Sequence, residues 1–373
     1  MNLNRILLAS LLAGSAMAEP ISVASWNFGW LRNEPVSEAL WPTCQTLPKG
    51  RDEREAAVDK LCEQTYPNDK TAREQCLTQH PCRWVPRRAE AYKILSEVAG
   101  VINADVIAVQ EVEGTAALEK VFPGYKVFVS GDDWLQKVGF AVKADKFKEV
   151  SFKDYEALAK PLGERRGRGG ELTVVDKAGK TIKFFNVHLK SGCFDKPLGR
   201  DEELNTEVSK GISKDRFNDD GSMKATRRNE ETAACHILAR QVKPLEQWID
   251  SAAAAGIPYI LLGDFNRRFD SPLEINAPAK TEQGNQLTIW KEINDSKPPE
   301  STLTRLTERR RSVDACSHKG RYPVLIDHII VSKSLASAVV ANSFRQWPVD
   351  IEDPELSDHC PISAVLDWNR PNP

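Results

Sequence analysis

The stretch Ile260-Leu261-Leu262-Gly263-Asp264-Phe265-Asn266-Arg267-Arg268 constrains this chain more than any other. An apolar run that stops at glycine and then presents a carboxylate and a carboxamide reads as a buried strand ending in a polar loop. On an extended backbone Asp264 and Asn266 point to the same side, so one phosphate or metal could meet both. Gly263 lets the backbone turn sharply or approach a ligand closely. Asp and Asn are also ordinary turn residues, so the stretch gains meaning only if other apolar runs end in the same way.

They do. Ile21-Ser22-Val23-Ala24-Ser25-Trp26-Asn27 reads as a strand ending at an amide, and Asp105-Val106-Ile107-Ala108-Val109-Gln110-Glu111 as one ending at a carboxylate. In Lys183-Phe184-Phe185-Asn186-Val187-His188-Leu189-Lys190, period two puts Asn186, His188 and Lys190 on one face and Phe185, Val187 and Leu189 on the other. Leu325 to Val331 carries Asp327, and Asp358-His359 stands just before a last strand ending at Leu366. Tyr125 to Ser130, Val138 to Val142 and Glu171 to Val175 read as further strands. Helical spacing marks Arg88 to Ile102, and a second helix from about Glu230 to Ala254 with Ile237, Leu238, Leu245, Trp248 and Ile249 on its inner face. Strand, helix and strand alternate along the chain, with antiparallel runs between, which indicates α/β layering in one domain. The 373 residues, 41% hydrophobic, are ample for such a core.

Residues 1–18 read as a secretory signal peptide. Arg5 precedes the apolar run Ile6 to Ala13, and Ala16-Met17-Ala18 supplies small residues at a cleavage site. The run is too short to span a bilayer, and no later segment is long enough. The mature chain, 19–373, is expected to be soluble and exported to the periplasm or medium, without stable membrane association. Eight cysteines in such a chain suggest disulfides rather than metal thiolates. Cys193 is expected to pair with Cys235, and Cys316 with Cys360, because each pair brackets a segment that must return to the same rim. Cys44, Cys62, Cys76 and Cys82 would staple a local insertion at about 33–86 with one or two short helices, in a pairing the sequence leaves open.

The formal charge is only −2. Contacts to nucleic acid must therefore come from local clusters: Arg87-Arg88, Arg165-Arg166-Gly167-Arg168, Arg227-Arg228, Arg267-Arg268 and Arg309-Arg310-Arg311. The charged stretch 195–231 reads as a long loop closed at its base by a disulfide. Its Asp215, Asn218, Asp219 and Asp220 lack EF-hand spacing.

The polar strand ends form a set: Asn27, Glu111, His188, Asp264, Asn266, Asp327, Asp358 and His359. Oxygen ligands without cysteine suit magnesium or manganese, and histidine with aspartate suits activation of water. Phosphoryl chemistry needs both. Gly-x-Ser-x-Gly, a P-loop and His-Glu-x-x-His are all absent from the sequence.

Ser25-Trp26-Asn27, Gln110-Glu111-Val112, Asn186-Val187-His188-Leu189-Lys190-Ser191, Gly263-Asp264-Phe265-Asn266, Ile326-Asp327-His328 and Ser357-Asp358-His359 occur in that order. Together they resemble the motifs of the endonuclease/exonuclease/phosphatase superfamily, the DNase I-like fold, over nearly the whole mature chain. The resemblance implies a four-layer αββα sandwich of two mixed β-sheets with the site at one rim. It implies that Glu111 binds the metal with Asn27 beside it, and that Asp358 supports the metal or its water. Asp264 and Asn266 would contact the nucleophile side, the scissile phosphate or a second metal. Asp327 would orient His359, and either His359 or Asp264 would take the proton from water. His188 would contact the phosphate, and Arg168 and Lys190 are further substrate-contact candidates. His328 stands where the superfamily often has tyrosine.

The leading expectation is an exported, Mg2+- or Mn2+-dependent nuclease, acting as a monomer on DNA or RNA, with no protein partner inferable. A lipid or small-molecule phosphodiesterase of sphingomyelinase type would need an apolar membrane-facing loop, where the long connections here are charged. A non-catalytic toxin or binding module would have no need of the full ligand set.

Overall fold

Successive side chains of a strand face opposite ways, so two stacked sheets can share one apolar core and each bury an outer face under helices. The computed structural model describes residues 19–49, 51–131, 136–162, 168–194, 196–198, 227–282, 284–306, 325–351, 353 and 355–367. The strands are β1 (Ile21–Leu31), β2 (Val106–Val112), β3 (Lys126–Val129), β4 (Lys137–Val142), β5 (Phe147–Asp154), β6 (Gly169–Asp176), β7 (Thr181–His188), β8 (Tyr259–Asp264), β9 (Leu303–Arg305), β10 (Asp327–Ser332), β11 (Arg345–Gln346) and β12 (Ile362–Leu366). One sheet has the order β11-β12-β1-β2-β4-β3, the other β5-β6-β7-β8-β10-β9. The β1–β2 and β7–β8 pairs are parallel and their neighbours antiparallel, so both sheets are mixed.

Val23, Val106, Ala108, Phe140 and Ile362 from the first sheet meet Leu172, Phe184, Ile260, Leu262 and Ile329 from the second in the central core. The opposite faces are covered by helices. Trp26, Ile107 and Val109 pack under α4 (Ala89–Ile102) and α5 (Thr115–Val121), after three helices of the insertion described below. Phe185, Val187, Tyr259 and Leu261 pack under α6 (Arg227–Ala254) through Leu238, Leu245, Trp248 and Ile249. The result is the expected four-layer αββα sandwich. At about 25 cal/mol per Å2, each large aliphatic or aromatic side chain buried in these layers stabilises the fold by ~1.5–3 kcal/mol.

The cysteine-rich insertion carries more helix than the sequence suggested: α1 (Glu34–Cys44), α2 (Arg51–Thr65) and α3 (Lys70–Gln79). Its own core is small, Val58, Cys62 and Leu77 with Leu47 and Cys76 packed against them. Two disulfides, Cys44–Cys82 and Cys62–Cys76, make up for that. Buried Arg54 adds hydrogen bonds to the carbonyls of Cys44, Pro48 and Cys82. The pairing left open by the sequence is thereby resolved, and Cys193–Cys235 forms as expected. Cys360 is disulfide-bonded, while Cys316, its expected partner, lies outside the described residues.

Candidate active site

Along five central strands the inward-facing row changes from apolar to polar at one level. Val23 and Ser25 lead to Asn27, Val106 and Ala108 to Gln110, Phe184 and Asn186 to His188, and Ile260 and Leu262 to Asp264. On β10, which runs the other way, Val331 and Ile329 lead to Asp327. The strand register sets Asn27 beside Gln110, His188 beside Asp264, and Asp264 beside Asp327. The site is thus the polar end of the inter-sheet core.

Glycine at 263 is required here for a reason the sequence did not reveal. Its φ is +139°, and a Cβ on it would lie 2.1 Å from the Val187 carbonyl oxygen. The close approach is to the neighbouring strand rather than to a ligand. Asn266 also departs from the extended geometry expected, with φ +50°. This left-handed turn folds it back so that its N–H and side-chain amide donate to Asp264 at 2.7 and 3.1 Å. The two side chains meet, but as a hydrogen-bonded pair.

β1 and β2 both slip in register near the site, between Asn27 and Leu31 and between Val109 and Val112. Glu111 sits there with φ +57°, and Gly29 and Trp30 have φ +56° and +66°. Such irregularities re-aim side chains, and left-handed non-glycine residues mark locally stored strain of ~1–3 kcal/mol. At Gly29 the absent side chain makes room for Asp358, whose Oδ1 lies 2.8 Å from where a Cβ would stand.

The polar groups are densely connected. The Asn27 amide donates to Asp264 Oδ2 at 2.9 Å and to Glu111 Oε1 at 3.4 Å, while its Oδ1 accepts from the Gly29 N–H. His359 Nδ1 is 2.7 Å from Asp327 Oδ2, and its Nε2 is 3.8 Å from Asp264 Oδ2. Burial disfavours the imidazolium of His359. The charge and hydrogen bond of Asp327, then the charges of Asp264 and Asp358, outweigh it and hold His359 well above the ordinary histidine value. Burial raises the Asp264 carboxyl to about 7 against the opposing pull of His359, Asn266 and Asn27, with Asp327 adding to the rise. One ligand atom each from Asp264, Asp327 and His359 lies within 4.8 Å of the others.

His188 behaves differently. Its Nδ1 is 3.1 Å from Arg168 Nη1, and its Nε2 is 3.4 Å from Glu111 Oε1 and 3.9 Å from Asp264 Oδ2. Burial, then the charges of Arg168, His359 and Lys190, press it well below the ordinary value, so it is neutral. Arg168 itself is buried behind His188. Lys190 lies two residues past the end of β7. Its N–H donates to Gln241 and its ammonium to the Ser191 carbonyl.

Arg87 and Arg267, like Arg168, were expected at a nucleic-acid surface and are interior instead. Arg267 forms a fully buried ion pair with Glu274 at 2.5 Å and donates to the carbonyls of Cys193 and Lys196. Arg87 is buried and donates to the carbonyls of Phe28, Gly29, Trp30, Glu355 and Leu356. Each guanidinium supplies donors to several buried backbone carbonyls, where unmet acceptors would be costly. Arg165, Arg166 and Arg309 to Arg311 lie outside the described residues, as do Asp215, Asn218, Asp219 and Asp220 and the leader 1–18. His328 is interior too, its Nε2 2.9 Å from the Arg267 carbonyl and its ring stacked on Phe269; burial lowers it to about 3.

Three residues of the sequence motifs that were given no role there act as supports. Ser357 donates to the Asn27 carbonyl and accepts from the His359 N–H, tying the last loop to β1. Gln110 donates to Asn186, which in turn donates to the carbonyls of Val109 and Gly139. This buried amide pair crosses between the two sheets beneath the site.

The model of the Endonuclease/Exonuclease/phosphatase family matches residues 77–359. Among solved structures the chain is similar to an endonuclease/exonuclease/phosphatase family protein from Bacteroides thetaiotaomicron, at 14% identity and TM-score 0.45 over 95% of this chain and 98% of that one. It is similar to truncated TDP2 from Caenorhabditis elegans, at 12% identity and TM-score 0.44 over 94% and 98%. It is also similar to ANGEL2, a 2',3'-cyclic phosphatase, at 15% identity and TM-score 0.45 over 93% and 94%. A search of curated protein sequences finds no match.

Proposed function

The chain belongs to the endonuclease/exonuclease/phosphatase family, whose members are divalent-metal-dependent phosphoester hydrolases, and from that premise we propose that it is an exported nuclease that hydrolyses DNA, with RNA as the second polymer to test. The observation that carries the chemistry is the Asp327–His359 pair at 2.7 Å, with Asp264 facing the other ring nitrogen at 3.8 Å. A water between His359 Nε2 and Asp264 Oδ2 would meet two acceptors. His359, when deprotonated, takes its proton as the water attacks phosphorus, and Asp327 holds the ring and stabilises the imidazolium that forms. Asn266 and Asn27 keep Asp264 in place. His188 donates from Nε2 to a non-bridging phosphate oxygen.

The donor set fits a hard cation. Glu111 and Asp358 supply carboxylate oxygens, both close enough for their charges to act on Arg87. Asn27 orients Glu111 and keeps a second lone pair on Oδ1. These residues would hold a magnesium or manganese ion, which when bound would supply positive charge to offset that developing on the phosphoryl oxygens.

The leader-like residues 1–18 and the disulfides support export. No helix among the described residues is long and apolar enough to cross a membrane. Of the substrate-contact candidates near the site, Lys190 follows His188 by two residues and Arg168 acts behind it. The long connections are charged in sequence, where a lipid esterase would need an apolar membrane-facing loop, and this weighs against a lipid ester.

The test is supercoiled plasmid incubated with purified protein in Mg2+ or Mn2+, and again with EDTA. Nicking or linearisation that EDTA abolishes is expected. Intact plasmid and RNA beside hydrolysed sphingomyelin vesicles would overturn the nuclease reading and keep the family chemistry.

A further inference from the structure

Arg168 reaches His188 from both its main chain and its side chain. Its carbonyl accepts the His188 N–H at 3.0 Å, and its Nη1 lies 3.1 Å from His188 Nδ1. Nη2 meets Gln136 Oε1 at 3.3 Å, which fixes the plane of the guanidinium. Arg168 is only 6% exposed and His188 2%. A guanidinium has donors and no acceptor. The nitrogen it faces must therefore carry the lone pair, and the ring proton must reside on the other nitrogen. That other nitrogen, Nε2, faces Glu111 and Asp264 in the mouth of the site.

We infer that Arg168 is a positioning residue that locks His188 in the Nε2–H tautomer, so that His188 presents a fixed hydrogen-bond donor to the phosphoryl group of the substrate. The inference rests on the phosphoesterase reading for what the donor is used for, but the tautomer itself follows from the hydrogen bonds alone. It also gives Arg168 a role different from the direct phosphate contact expected from sequence: its charge acts on substrate through the imidazole. The Nδ1–H tautomer would place a lone pair toward the phosphate oxygens and repel them, so the fraction of molecules in the wrong tautomer is lost to turnover.

The ring of His188 is read by 15N NMR of histidine-labelled full-length protein, assigned by the signal that disappears in His188→Asn. The wild type is expected to show a protonated Nε2 and a bare Nδ1, with and without Mg2+. Arg168→Met is expected to lose this signature through tautomer exchange. It should also lower kcat on the order of tenfold to a hundredfold with KM changed much less, as befits a misplaced donor. Arg168→Lys retains a donor and should restore the signature and part of kcat. A wild-type spectrum with the proton on Nδ1 overturns the inference without any variant having to fold. So does an Arg168→Met protein whose His188 signature and kcat both match wild type. A protein with the predicted signature that cleaves no nucleic acid retains the tautomer lock and rejects the nuclease reading instead.

Discussion

Asp327 and His359 are joined by a 2.7 Å contact between Oδ2 and Nδ1, although they are 32 residues apart in the chain. Asp327 opens β10, and His359 follows a loop that Ser357 pins to β1. The pair therefore forms only when both sheets are assembled, and its geometry reports on the whole sandwich.

The pair makes a pH prediction with a definite sign. A base whose pKa is raised must lose its proton before it can act, so activity should fall as pH drops through the raised His359 value, above the ordinary histidine range. Asp327→Asn removes the charge that sustains the imidazolium, so the acid limb should move to lower pH while the plateau rate drops. His359→Ala should reduce turnover by about a hundred- to ten-thousand-fold, the usual loss on removing a general base. The check is a kcat–pH profile of each variant, with circular dichroism to confirm folding. A folded His359→Ala protein with near-normal turnover would remove the base assignment.

Glu111→Gln tests the cation site. The change keeps the shape and removes the carboxylate charge. Outer-shell changes alone cost ~10–100-fold in metal affinity, so loss of a ligand charge should raise the metal concentration for half-maximal activity by at least about tenfold. Magnesium and manganese titrations measure it directly. An unchanged requirement would move the ion away from Glu111, toward the group formed by Asp264, Asp327 and His359.

Much of this site was legible because chemistry and burial coincide at strand ends. Asp264 and Asp327 each terminate an apolar inward row, His188 ends one that has already turned polar at Asn186, and that switch is written in the residue order. Asn266 meets Asp264 through a left-handed turn rather than along the extended strand that the residue order suggests. Arg87 and Arg267 were misread as surface charge. A sequence shows a guanidinium, but not the carbonyls that will surround it, and those come from segments as distant as Phe28 and Leu356. The three helices of the insertion carry little amphipathic signal because disulfides do part of the work of a core.

Gly263→Ala should be far more damaging than an ordinary strand substitution. The added Cβ would collide with the Val187 carbonyl, and φ +139° is closed to alanine. Either β8 moves away from β7 or the chain breaks its pairing, and Asp264 moves with it. Destabilisation above ~2 kcal/mol is expected, at the upper end of overpacking effects. Urea unfolding would show it, and a midpoint equal to wild type would contradict the packing described here.

The last prediction concerns Arg87, just past the disulfide-bonded insertion. Its guanidinium joins the segment after Asn27 to the segment before Asp358-His359, through carbonyls of Phe28, Gly29, Trp30, Glu355 and Leu356. Arg87→Met removes all of these hydrogen bonds at once, and each buried acceptor left unmet costs ~1–3 kcal/mol, so a total loss of more than ~3 kcal/mol is expected even with some relaxation. Arg87→Lys keeps the charge but gathers its three donors on a single nitrogen, where arginine spreads five over a planar fork, so it should rescue only part of the stability. Because both segments border the site, kcat in the lysine variant should fall further than its unfolding midpoint alone would suggest. Denaturant unfolding and kcat measured on the same preparation separate the two effects. A lysine variant with wild-type stability and turnover would show that the two segments hold their positions without the arginine.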